Sequence, residues 1–322
     1  MTSADRPVSA ATAVLRRLRF PALGTRCEVQ YAAPDGDRQA AAFERAAVGW
    51  VQAFEARYSR FRADSLISRI NAEAGREWVD VDAETERLFA LCDTLQTMTR
   101  GILDPTALPL IRLWDWKAPQ PAIPADAAIA AARRLVGWGT VQRQAGRVRL
   151  PQAGMALDFG GFGKEYAVDI VADIAREHGL ASALVDFGRD LRGLGAPPGR
   201  PAWHIGLEDP QRPATPWASV ALAGDRGIAS SGDYVRGFVI DGRRYGHIID
   251  PRTGWPVAND CRQVTVVAGT CLQAGVLSTT AFVLGVTAGL AWIESFPGAD
   301  AAFVTTQARA QTRGFYQYVV SA

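Results

Sequence analysis

From about Phe20 apolar and polar positions alternate, putting Thr25, Cys27, Val29 and Tyr31 on one face; this predicts a strand leading from a glycine turn and ended by Pro34-Asp35-Gly36. The spacing then turns helical, with Phe43, Ala47, Trp50, Val51, Phe54 and Tyr58 recurring every three or four positions. A second helix is expected from an N-cap at Asp82, burying Leu88, Leu91, Leu95 and Met98 and stopping at Gly101. Beyond a Pro- and Ala-rich stretch, 118–128, a basic helix runs to Gly137, and residues 146–160 read as strand, turn, strand. A third helix covers Lys164 to His178, with Val168, Val171, Ile174 and Ala175 inward and Gly179 as its stop.

Strands are expected at 183–188, 203–209, 218–224 and 227–232. Residues 237–250 carry Asp241-Gly242 between two alternating arms, a strong hairpin signal. A strand at 262–269, a helix from Leu272 to Leu284, and a closing helix, strand and strand complete the chain. Strands and helices mix without a regular βαβ repeat, so the fold class is α+β. No repeat or linker divides the chain, which reads as one domain over 18–322.

At 322 residues and 48% hydrophobic, the chain can bury a substantial core. Its 35 Lys+Arg against 33 Asp+Glu leave a net charge of +2, and no run of like charge argues for nucleic acid or a membrane surface. Cys27, Cys92, Cys261 and Cys271 form no CxxC pair and have no nearby histidine, so reduced, buried thiols are expected rather than zinc. No apolar run is long enough for a transmembrane segment. Arg16-Arg17 resembles the start of an export signal, but Arg19, Pro21 and Gly24 interrupt the apolar stretch that should follow. A disordered tail over 1–17 and a cytoplasmic protein are therefore expected.

Three segments carry candidate chemistry. In DFGGFGKEYAVD, 158–169, Gly160, Gly161 and Gly163 would let backbone amides approach a phosphate at a helix N-terminus, with Lys164 adding positive charge. Glu165 after Lys164 excludes a Walker loop, and a plain strand-to-helix turn fits the same residues. SSGDYVRGFVIDGRRYGHIIDPRTG, 230–254, places His247 and Asp250 near the end of a hairpin arm, where a histidine serves structure or proton transfer. VTVVAGTCLQAGVLSTTAFVLG, 264–285, sets Thr279 in an otherwise apolar helix, where a hydroxyl commonly bonds a carbonyl one turn back.

As an ordered set these segments resemble the FAD:protein FMN transferase (ApbE) family from about Leu23 to Gly285. ALGT at 22–25, YSRFRADSLISRIN at 58–71, ILDPTALPLIRLWDW at 102–116 and VDFGRDLRGLG at 185–195 extend the likeness. It implies an ApbE-like, T-fold-related arrangement of mixed sheets with packed helices. It also implies an enzyme that attaches FMN from FAD through a phosphoester to a Thr or Ser of an acceptor flavoprotein, releasing AMP. Acceptors of the family carry a short motif of Asp, Ser/Thr, Gly/Ala, Ala and Ser/Thr.

By the resemblance, Leu23 and Phe61 bound the FAD cleft, and Ile102, Leu103 and Asp104 lie near the adenosine end. Asp158, Lys164, His247 and Ile249 match other flavin contacts, and His247, backed by Asp250, is the candidate proton acceptor. Mg2+ would be held by the Gly161 carbonyl, by Thr279, and by an aspartate for which this chain has Gly275. Losing that carboxylate weakens the expected magnesium site. Asp186, Asp190 and Asp225 are candidates to replace it, and Arg189, where the family has glycine, is a candidate to supply its charge. A non-catalytic FAD carrier or sensor, or a hydrolase giving FMN and AMP, are the alternative readings.

Overall fold

The computed structural model describes residues 13–320. Eight strands form one sheet in which spatial order follows chain order: β1 Val14–Ala22, β2 Thr25–Ala33, β3 Ala183–Phe187, β4 Asp190–Leu194, β5 Arg226–Gly232, β6 Cys261–Ala268, β7 Asp300–Thr305 and β8 Arg309–Gln311. Each neighbouring pair is antiparallel. The excursion between β2 and β3 holds six helices: α1 Arg38–Tyr58, α2 Leu66–Ala72, α3 Ala83–Met98, α4 Leu108–Leu113, α5 Asp126–Arg133 and α6 Gly163–Glu177. Helices α7, Cys271–Leu284, and α8, Val286–Glu294, connect β6 to β7.

Both faces of the central strands are covered, and adjacent residues point to opposite layers. Val185 packs with Phe43 and Val51 of α1 and Val168 and Val171 of α6, and Val266 packs with Leu277 and Ala281 of α7. Leu184, Ile228 and Val267 turn the other way, onto a smaller sheet of Trp203–Asp209, Arg212–Leu222 and Val319–Val320. The α+β class is as expected.

Local signals place the helix ends. Asp37 accepts from Gln39 N at 2.8 Å to cap α1, and Asp82 accepts from Thr85 N at 3.0 Å to cap α3. Asp241 and Gly242 adopt φ of 49° and 74°, turning the hairpin of Gly237–Ile240 and Arg243–Gly246.

Three expectations need correction. Residues 14–17, expected in a disordered tail, belong to β1; the rest of that expectation, residues 1–12, lies outside the described residues. The arginines that disguise this edge strand are held from β2, Arg19 Nε lying 2.7 Å from Glu28 Oε2. Residues 156–158 form no strand, and β4 is a separate element that sequence patterning did not reveal. The basic helix ends at Arg133, and a 3₁₀ turn, Trp138–Thr140, follows Gly137.

Cys27, Cys92, Cys261 and Cys271 are free and buried, and burial pushes the Cys27 and Cys261 thiols up to about 12. No helix among the described residues is long and apolar enough to cross a membrane.

Candidate functional site

The site is built around the start of α6. Asp158 fastens the approach: its N–H donates to Pro105 O at 2.8 Å, its Oδ1 accepts from Gly160 N at 2.9 Å, and its Oδ2 meets Arg60 Nε at 2.9 Å. Gly163 lies against Phe159 and Phe54, where a Cβ would stand in ordinary contact at 3.5 and 3.7 Å. Phe162 at the N-cap gives α6 no side-chain acceptor; Gly163 N donates to Phe159 O at 2.6 Å, which leaves the Lys164 and Glu165 amides of the first turn to face an anion. Helix α7 differs, since Asp169 accepts from Cys271 N and Leu272 N at 2.9 Å each.

Lys164 pairs with the buried carboxylate of Asp190, and its Nζ is 3.9 Å from Glu165 Oε1. Glu165 in turn lies over Gly275. A Cβ built on Gly275 would come 2.7 Å from Glu165 Cγ and 3.2 Å from Oε1. Glu165 Oε2 is buried and has no hydrogen-bond partner. One turn along α7, Thr279 Oγ1 is 2.8 Å from Ser231 Oγ on β5, which is also 2.9 Å from Ser278 Oγ.

The loop after α3 closes another side. Ile102 is buried, and Leu103 Cδ2 is the nearest atom, at 3.6 Å, to a Cβ built on Gly161. Asp104 accepts from Thr106 N at 2.8 Å and Trp138 N at 3.0 Å, so its carboxylate fastens this loop. Phe61 is 80% exposed, with the Arg60 guanidinium 4.2 Å from its ring centre; Arg60 thereby ties Phe61 to Asp158. Leu23 turns β1 into β2 at φ 55°, its N–H donating to Glu55 Oε1 at 2.7 Å. Ile249 pairs with Pro256 and packs against the Trp114 and Tyr245 cluster.

His247 follows the hairpin, 6.5 Å from Trp116 between ring centres, with Nδ1 buried and unpartnered. Burial, with the Arg236 charge adding to it, lowers the ring's pKa to about 4, so the imidazole is neutral at pH 7. The expected backing by Asp250 is not formed. Both carboxylate oxygens of Asp250 bind Arg252, at 2.9 and 2.8 Å, and so stiffen the turn behind His247.

The replacement carboxylates and the compensating arginine also need correction. Asp190 is taken by Lys164, Asp225 by Arg192 and Arg176, and Asp186 Oδ1 accepts from Arg189 N at 2.8 Å. Arg189 adopts φ 76°, a conformation that suits glycine, and its guanidinium pairs with Glu208 rather than standing free. Glu165 and Ser231 are the functional candidates that sequence reasoning missed. Both lie inside segments it singled out, but their relation to α7 is purely tertiary. A hollow lined by Trp50, Phe54, Arg57, Asp64, Arg69 and Glu84 meets this site only through Phe54, which also lies against Gly163, and includes none of the expected flavin contacts.

Among the described residues no group of three or more His, Cys, Asp or Glu is arranged to hold a metal ion. Magnesium demands less, taking one or two carboxylates with phosphate oxygens and water. The unpartnered Glu165 oxygen and the space over Gly275 that Glu165 fills fit that requirement, with the Thr279 hydroxyl and Gly161 carbonyl as further oxygen donors.

An uncapped, lysine-bearing helix start beside a glycine turn, within an α+β fold, is an arrangement able to hold a phosphate group. The chain belongs to the ApbE family, whose model matches residues 23–303. It is 32% identical over 258 residues to the FAD:protein FMN transferase of Treponema pallidum, covering 76% of this chain and 71% of that one. The corresponding Vibrio cholerae protein is 29% identical, covering 86% and 84%. The fold is similar to the apo flavinyl transferase ApbE of Pseudomonas stutzeri, at TM-score 0.85 and 28% identity over 98% of this chain and all of that one. It is also similar to the flavin transferase ApbE of Vibrio cholerae, at TM-score 0.83 and 27% identity over 95% and 99%.

Proposed function

We propose that this chain is an FAD:protein FMN transferase. A Thr or Ser hydroxyl of an acceptor protein attacks the phosphorus on the FMN side of the FAD pyrophosphate. The new O–P bond makes the phosphoester, the bond to the bridging oxygen breaks, and AMP leaves with the electron pair. The acceptor segment is of the Asp, Ser/Thr, Gly/Ala, Ala, Ser/Thr type.

The observation that carries this reading is the meeting of the uncapped, lysine-bearing α6 start with α7 at Gly275, one helical turn before Thr279. The amides and the ammonium bind and orient the pyrophosphate and stabilise the charge that grows in the transition state. Bound Mg2+, held by Gly161 O, Thr279 and a carboxylate, would supply further charge neutralisation there. His247, neutral at its buried position, is able to take the hydroxyl proton on an imidazole nitrogen. Arg60, Phe61 and Leu103 shape the cleft wall.

The test is to mix the purified protein with FAD, Mg2+ and an acceptor bearing that motif, and to weigh the acceptor. A gain of one FMN, with equimolar AMP, is expected. AMP and FMN appearing in solution with no gain on the acceptor would replace transfer by hydrolysis.

A further inference from the structure

We propose that Glu165 supplies the carboxylate of the magnesium site, reaching across from α6 to the place that Gly275 leaves open on α7. The inference rests on the flavin-transfer reading above and identifies the ligand which that reading lacks.

Four observations carry it. The Glu165 side chain occupies the volume directly over Gly275, so that a Cβ there would meet Cγ, Cδ and Oε1 within 3.2 Å. A residue larger than glycine at 275 and an inward-turned glutamate at 165 are thus mutually exclusive. Glu165 Oε2 is buried with no donor, and its nearest cation, Lys164, is 3.9 Å from the other oxygen and already paired with Asp190. A buried carboxylate oxygen without a donor is costly, and a bound cation removes that cost. Gly275 and Thr279 lie one helical turn apart on α7, so the carboxylate held over the first and the hydroxyl of the second belong to the same face of the helix. Glu165 is also in the first turn of α6, where the amides gather phosphate oxygens, the remaining ligands a magnesium ion needs. The other nearby carboxylates are engaged elsewhere, Asp190 by Lys164 and Asp169 by the α7 amides.

Mn2+, visible by electron paramagnetic resonance, is the probe, titrated into the protein saturated with FAD. FAD binding itself is followed separately in EDTA by flavin fluorescence. Glu165→Gln is expected to weaken Mn2+ binding at least about tenfold, no less than loss of an outer-shell partner costs, while FAD affinity in EDTA is not lowered, because the substitution removes a negative charge beside the pyrophosphate. Moving the carboxylate should rescue the site. Glu165→Ala should lose Mn2+, and Glu165→Ala with Gly275→Asp should regain it, since removing Glu165 beyond Cβ clears the space over residue 275. That rescue also decides the question if Glu165→Gln does not fold.

Unchanged Mn2+ affinity in Glu165→Gln, equal affinity in the single and paired variants, or FAD binding without any Mn2+ binding in the wild type would each overturn the assignment and leave flavin binding intact. A wild-type protein that fails to bind FAD in either buffer would overturn the flavin reading, and the assignment with it.

Discussion

Lys164, in the first turn of α6, is paired with Asp190, the first residue of β4, so the cation facing the glycine turn is anchored to the sheet. The Asp190 side chain is only 9% exposed and that of Lys164 is 26% exposed. The pair therefore orients the ammonium without removing it from solvent. Lys164→Met would strand a buried carboxylate. It is expected to cost about 2 kcal/mol of stability, less than the roughly 3–5 of a fully buried pair because Lys164 is partly exposed, and to weaken FAD binding. Chemical denaturation and flavin fluorescence measure the two effects.

His247 makes stability depend on pH in a defined window. Its folded pKa, about 4, lies below the ordinary value of 6.5. Between those values the unfolded chain holds the extra proton, so stability rises with pH through the window and is lost as pH falls from 6.5 towards 4. The contribution is at most on the order of 3 kcal/mol. Thermal melts between pH 4 and 7 should show His247→Gln flatter than wild type, and transfer activity should show no acidic limb near 6.5.

Asp250 is a strut of the turn behind His247. Asp250→Asn loses the two-point grip on Arg252 and should reduce stability by about 1–2 kcal/mol. Because Asp250 does not bond to His247, the titration of the His247 ring, followed by nuclear magnetic resonance, should not move.

Arg189 contributes its backbone more than its charge. Arg189→Gly keeps the φ of 76° at lower strain and gives up an exposed pair with Glu208. Stability should stay within about 1 kcal/mol of wild type, and FAD affinity in metal-free buffer should be unchanged.

Gly227 sets how closely β5 passes α7. A Cβ there would fall inside the backbone of Thr270 and Cys271, which has no flexible end to give way. Gly227→Ala should cost about 3 kcal/mol or prevent folding, as read by solubility and the melting temperature.

Much of the framework was legible in the chain alone because it rests on local rules. Period-two burial in β2, helical spacing in α1, aspartates capping α1 and α3, and the Asp-Gly hairpin turn each follow from neighbours within a few positions. β1 and β4 were not legible. β1 is an edge strand whose arginines are held by Glu28, and β4 is buried on both faces and so shows no alternation.

The ordered motifs determined the family and marked residues 158–169, 230–254 and 264–285 as the chemistry. They could state that Gly275 lacks a carboxylate, because that is a property of one position. Only the packing of α6 on α7 decided what fills the space, by bringing Glu165 over Gly275. The same packing gave Asp190 to Lys164, and the turn after the hairpin gave Asp250 to Arg252. Pairings between distant side chains depend on distance in space, and the spacing of residues along a chain does not encode it.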